Sequence, residues 1–160
     1  MKLFLILAGL LLLVGLIAYV AMAIQSQKKP EHLGLLHGLL RTCPDSPNCV
    51  CSEAHCQTSE QHAIAAIKTA DASWNKVTSI ITEQGGEIEQ NSGNYLHATF
   101  TTPIFRYVDD VELRLDESSG LIHIRSASRI GRSDFGVNRN RVERIMQALK
   151  ESEKPSPAGV

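Results

Sequence analysis

The feature that most restricts the fold is a two-residue rhythm of apolar side chains between positions 94 and 128. In "NYLHATFTT", Leu96, Ala98 and Phe100 alternate with Tyr95, His97, Thr99 and Thr101. In "VDDVELRLDE", Val111, Leu113 and Leu115 alternate with Asp110, Glu112, Arg114 and Asp116. In "LIHIRSAS", Ile122 and Ile124 alternate with His123 and Arg125. Successive side chains on a strand point to opposite faces, so this pattern belongs to antiparallel strands with one buried face. The turn "ESSG" at 117–120 fixes a register with Leu115 opposite Ile122, Leu113 opposite Ile124, Arg114 opposite His123 and Glu112 opposite Arg125. A slip of one residue would set leucines against charges. One sheet face is therefore apolar. The other carries His97, Asp110, Glu112, His123 and Arg125 and is expected to face solvent. "GEIEQ" at 86–90, ahead of the turn "NSGN", reads as one more short strand.

Elsewhere the period changes to that of a helix. Between 60 and 84, Ile64, Ile67, Trp74, Val77 and Ile81 recur at helical intervals. Asp71 suits a fresh helix start, which leaves 60–70 as a separate turn or loop, and Gly85-Gly86 suits a helix end. "NRNRVERIMQALKE" puts Val142, Ile145, Met146 and Leu149 on one stripe, with Asn138 as its expected N-cap. These stripes have one place to be buried, the apolar sheet face. The expected fold is α+β: a small, curved antiparallel sheet packed on one face by helices, forming a single domain over 31–150. Residues 151–160 have the composition of a disordered tail.

Residues 3–24 carry no charge and, as a helix, extend about 30 Å, the thickness of a bilayer core. No polar face interrupts the run, which argues against a buried core helix. Ala21-Met22-Ala23 resembles a cleavage site, but the run exceeds the usual signal-peptide core, so an uncleaved anchor over 1–30 is preferred. The flanking charges, Lys2 before the span and Lys28 and Lys29 after it, are nearly balanced and lean slightly against export of the C-terminal part.

All four cysteines lie in "TCPDSPNCVCSEAHC". The spacings lack the C-x-x-C knuckle of a zinc site, so no metal is expected there. Two prolines with Asp45, Ser46 and Asn48 bend the chain between Cys43 and Cys49, which favours a disulfide between that pair. Cys51 and Cys56 either pair with each other or stay as thiols. A net charge of −1 and 5% aromatic residues give no reason to invoke nucleic acid. No motif calls for a cofactor.

Two places remain where chemistry is conceivable. On the polar sheet face, His97, Asp110, Glu112 and His123 could serve an enzyme of hydrolase type, with Arg125 holding an anion. The plainer reading of that face is solvated strand polarity. In "RSASRIGRSDFGVNRNRVERI" the local balance is positive although the whole chain is not. Arg125, Ser126, Ser128, Arg129, Asp134, Asn138 and Arg139 there could cradle a small anion before a helix start. The plainer reading makes the segment a junction, in which Asp134 accepts from Arg129 or Arg139. Arg139 and Arg141 in a first helical turn are unfavourable unless an acid or an anion compensates.

"CPDSPNC", "YLHATF", "VDDVELRLD" and "IRSASRIGRSDFGVNRNRVE", in this order from about 38 to 150, resemble the signatures of domain of unknown function 1499. That family's members are small domains, often behind a hydrophobic N-terminus, in bacteria and plastids. The resemblance implies an exported or membrane-attached domain and so favours disulfides. It implies no established activity and transfers no catalytic residue; Cys51 and Cys56 are extra to its pattern. The combined expectation is a single-pass membrane protein with its domain on the periplasmic or lumenal side. Without catalysis, it would bind a small anion, an anionic lipid headgroup or an envelope protein partner. A purely structural envelope protein is the remaining option.

Overall fold

In the computed structural model, residues 1–152 are described. Helix α1 (Lys2–Gln27) is followed by strands β1 (Cys49–Cys51) and β2 (Ile67–Lys68), helix α2 (Trp74–Glu83) and strand β3 (Glu87–Asn91). Strands β4 (Tyr95–Thr101), β5 (Val108–Asp116) and β6 (Leu121–Ser128) then lead into helix α3 (Val137–Ser152). The strands form one antiparallel sheet in the order β1-β6-β5-β4-β3, and β2 pairs with the same edge of β6 as β1 does. The fold is α+β, as the alternation requires.

The β5–β6 register is the expected one: Leu115↔Ile122, Arg114↔His123, Leu113↔Ile124 and Glu112↔Arg125. Leu96, Val111, Leu113, Ile122 and Ile124 are fully buried with Val77, Ile81, Val142 and Ile145 of α2 and α3. Removing one such side chain to alanine would cost about 2–5 kcal/mol, which is why this layer dictates the register. Gly86 lies against the same layer. A Cβ there would stand 2.7 Å from Ile81 Cγ2 and 2.8 Å from Phe100 Cζ.

Three local details differ from expectation. Residues 60–70 are a short 3-10 turn at Glu60–His62 and strand β2, and α2 starts after Ser73, whose hydroxyl accepts from the Lys76 amide. Asp71 therefore does not cap α2. At α3, Asp134 accepts the amides of Gly136 and Asn138, while Asn138 is buried within the first turn. Asp134, and not Asn138, caps the helix. Glu151 and Ser152 still belong to α3; the rest of the expected tail lies outside the described residues.

The larger correction concerns the polar sheet face. His97, Asp110, Glu112 and Arg125 are buried, not solvated. Alternation specifies which side chains share a face but not whether that face is covered. Here residues 33–48 and 52–56, on either side of strand β1, lie across it as an irregular layer without secondary-structure periodicity. Leu40 and the four half-cystines pack with Tyr95 and Ala127 in a second apolar cluster. Two bridges staple the layer, Cys43–Cys49 and Cys51–Cys56, with Cα–Cα distances of 5.7 and 6.1 Å. The first bridge is the expected one, and the second resolves the alternative that the spacing left open. Glu53 fixes the layer to the sheet by accepting from Arg114 Nε and from the Leu40 amide.

Helix α1 has no polar face. Its most apolar stretch is unburied, with a mean hydropathy of 2.9, so it is long and apolar enough to cross a membrane. Its last turn meets the domain, where the buried Ser26 hydroxyl accepts from the Val108 amide at 2.8 Å.

Candidate functional site

Two buried carboxylates organise the covered face. Glu112 accepts from the Tyr95 hydroxyl and the Gly34 amide, both at 2.8 Å, and from Arg125 Nη1 at 2.9 Å. Burial, together with the adjacent Glu112 charge, pushes the Tyr95 phenol well above its ordinary range. Two residues away on the same face of β5, Asp110 accepts from His97 Nε2 at 2.8 Å and from Arg129 Nη2 and Nε at 2.7 and 2.9 Å. Burial alone would raise the Asp110 pKa. The hydrogen bonds from His97 and Arg129 and the guanidinium charge outweigh it and hold the pKa below 3.8.

Arg125 and Arg129 open into a cleft of about 470 Å³ between the sheet rim and the segment after α1. Arg41, Asp110, Ser128 and Cys43 line it, and Pro30, His32, Leu33 and Leu36 form its other wall. The Nε atoms of Arg41 and Arg125 are buried without a hydrogen-bond partner. Among the described residues, no carboxylate forms an ion pair with Arg41, whereas Arg125 and Arg129 are matched by Glu112 and Asp110. The cleft thus has one cation more than its acids neutralise.

The residues proposed from the sequence divide into three groups. Arg125, Ser128 and Arg129 reach the cleft. Ser126, Asp134 and Asn138 knit a junction on the helical side of the sheet. There the Ser126 hydroxyl donates to Asn138 Oδ1 at 2.6 Å, and Asn138 Nδ2 donates to Asp134, Ser128 and the Asn48 carbonyl. Arg139 lies elsewhere, donating to the carbonyls of Gln61 and Ala63. Asp134 accepts from neither Arg129 nor Arg139 in this arrangement. Arg139, in the first turn of α3, has Glu143 at 3.9 Å, while Arg141, one turn in, pairs with the buried Asp109 and stacks its guanidinium on Phe100 at 4.7 Å.

Of the alternative set, His97, Asp110 and Glu112 are engaged in the buried pairs above. His123 lies apart, 3.3 Å from the Ser52 hydroxyl, and burial lowers its pKa below 6.5. Neither His123 nor Ser52 lines the arginine cleft. No three His, Cys, Asp or Glu side chains among the described residues form a metal-holding group. The residue missed from the sequence is Arg41. It stands alone in a leucine-rich stretch with no period, so nothing in the pattern shows which way it points.

These features define a small α+β domain, stapled by two disulfides, behind an apolar N-terminal helix. The chain belongs to the family described as "Protein of unknown function (DUF1499)", which it matches over residues 39–149. No curated protein matches it. Arg41, Arg125 and Arg129 fall inside the matched region; α1 and the Pro30–Leu36 wall of the cleft fall outside it.

Proposed function

We propose that this protein is a membrane-tethered domain that binds an anionic group, a phosphate or carboxylate, in the Arg41–Arg125–Arg129 cleft. The observation that carries the reading is the guanidinium of Arg41, unmatched by any carboxylate among the described residues, beside Arg125 and Arg129 in one cleft. Guanidinium is suited to such ligands because its planar fork meets two oxygens at once. Helix α1 acts as the anchor, and the two disulfides support placement on an oxidising, periplasmic or lumenal side.

The position of the cleft supports a ligand near the bilayer. Arg129 Nη1 points to the carbonyls of Ser26 and Gln27 at 3.4 and 3.3 Å, the last turn of the anchor, so the cleft lies where lipid headgroups would stand. The chemistry is shared by an anionic headgroup and a free small anion. The test reconstitutes the full chain in phosphatidylcholine nanodiscs and measures its thermal midpoint with added inorganic phosphate, or with phosphatidylglycerol in the bilayer. Stabilisation by phosphate alone identifies a free anion, and stabilisation by phosphatidylglycerol identifies a headgroup. Either effect must vanish in Arg41→Gln. No stabilisation in either arm removes the proposal.

A further inference from the structure

The loop Thr102–Tyr107, between β4 and β5, does not lie against the sheet but alongside α1. The Tyr19 hydroxyl donates to the Ile104 carbonyl at 3.1 Å, and the Tyr19 ring meets Phe105 edge-on at 5.8 Å. Gln27 Nε2 donates to the Arg106 carbonyl, and Phe105 stacks on Tyr107 at 5.7 Å. Ile104 is 78% exposed and Phe105 51%.

Depth along the helix gives these contacts their meaning. The apolar run continues to Ile24, and Tyr19 precedes that end by about 7.5 Å at the rise of an α-helix. A loop tip bonded at Tyr19 therefore sits below the level at which α1 leaves the apolar layer. Irregular backbone is tolerated at that depth only when its polar groups are satisfied within the protein. Hydrogen bonds meet part of this requirement, and the Ile104 and Phe105 amides, without a partner among the described residues, set the tip in the hydrated interface and not in the hydrocarbon. Besides the bonds from Tyr19 and Gln27, the Thr102 amide donates to the Tyr107 carbonyl, and the Thr102 hydroxyl accepts from the Tyr107 amide. The side chains left outward are the apolar Ile104 and Phe105 and the cationic Arg106, whose guanidinium reaches toward the headgroups from an interfacial position.

We infer that Thr102–Tyr107 is a second membrane-inserting element, its Ile104 and Phe105 side chains entering the interfacial region of the bilayer beside the anchor. This rests on the proposed role of α1 as a membrane span. Phe135 belongs to the same surface: it is 94% exposed at φ 52°, a backbone region unusual for a bulky residue, and shares an apolar groove of about 420 Å³ with Met22 and Phe105. Two points of attachment prevent the domain from swivelling on its helix and keep the arginine cleft at headgroup level.

The test uses the full chain in phosphatidylcholine nanodiscs, without bromine or with it on either the upper or the terminal part of the acyl chain, where it quenches indole fluorescence on contact at the interface or at the bilayer centre, respectively. Trp74 is the only native tryptophan, so the probes are Phe105→Trp and Ile104→Trp, each in a Trp74→Phe background. Leu12→Trp in the same background reports on the anchor, and unmodified Trp74 reports on the domain. Quenching at positions 105 and 104 as well as 12, with Trp74 unaffected, is the expected result. Quenching at 12 without quenching at 105 and 104 overturns the inference and leaves the anchor standing. Absence of quenching at 12 removes the anchor and the inference together.

Discussion

Arg129 grips the Asp110 carboxylate through two of its nitrogens and directs the third at the carbonyls that end α1. One guanidinium thereby connects the buried acid of the sheet, the wall of the cleft and the foot of the apolar helix α1. Both side chains are more than nine-tenths buried, so neither charge has water to fall back on.

Arg129→Gln should accordingly destabilise the protein by about 3–5 kcal/mol, because it leaves Asp110 buried without its bidentate partner. Adding Asp110→Asn should recover part of the loss, giving a coupling of about 1–3 kcal/mol in a double-mutant cycle. Urea unfolding of the reconstituted chain measures both. Strictly additive single losses would show that the pair is not a unit.

The two disulfides close short loops, so chain entropy assigns each about 2 kcal/mol. They should differ in their effect on binding. Cys43 lines the cleft and follows Arg41 by two residues, whereas Cys51–Cys56 lies outside the lining. Cys43→Ser/Cys49→Ser should weaken phosphate or phosphatidylglycerol stabilisation, and Cys51→Ser/Cys56→Ser should lower the unfolding midpoint while leaving that response intact.

Acid should destabilise the fold in two windows. His123 is held below its ordinary 6.5 by burial, so the unfolded chain takes up a proton there that the folded chain resists. Its contribution is complete above pH 6.5 and is lost as pH falls through the folded value. Asp110 acts in the same direction further down, its contribution complete above pH 3.8 and lost as pH falls through its depressed folded value. Urea midpoints between about pH 7 and 5 should fall, and His123→Gln should flatten that fall.

Gly86→Ala should cost about 1–3 kcal/mol through overpacking, since the new methyl meets Ile81 and Phe100 well inside contact distance. A thermal midpoint equal to that of the unsubstituted protein would contradict the packing described for the α2–β3 corner.

What the sequence makes legible follows from which interactions are periodic. Leu113 and Ile124 declare their register because a one-residue slip would reverse the burial of both strands at once. Val142, Ile145 and Leu149 declare α3 in the same way. The cover over Glu112 and Asp110 has no period: its leucines and half-cystines act through turns and two bridges, so a face that reads as solvated turns out to be enclosed. Asp134 and Asn138 are equally good caps by residue type, and only the buried contacts of Asn138 with Ser126 and Ser128 decide between them. Arg125 and Arg129 stand among seven candidates in their crowded basic segment, where residue type alone does not separate them from Arg139. Arg41, far away in sequence, is not among them.

The most direct test of the account is native mass spectrometry of the full chain, taken in detergent from the membranes of the cells that make it. A retained anionic adduct is expected on the unsubstituted protein and not on Arg41→Gln, with both disulfides intact in each. Identical ligand-free masses for the two proteins, or an adduct that survives the substitution, would contradict it.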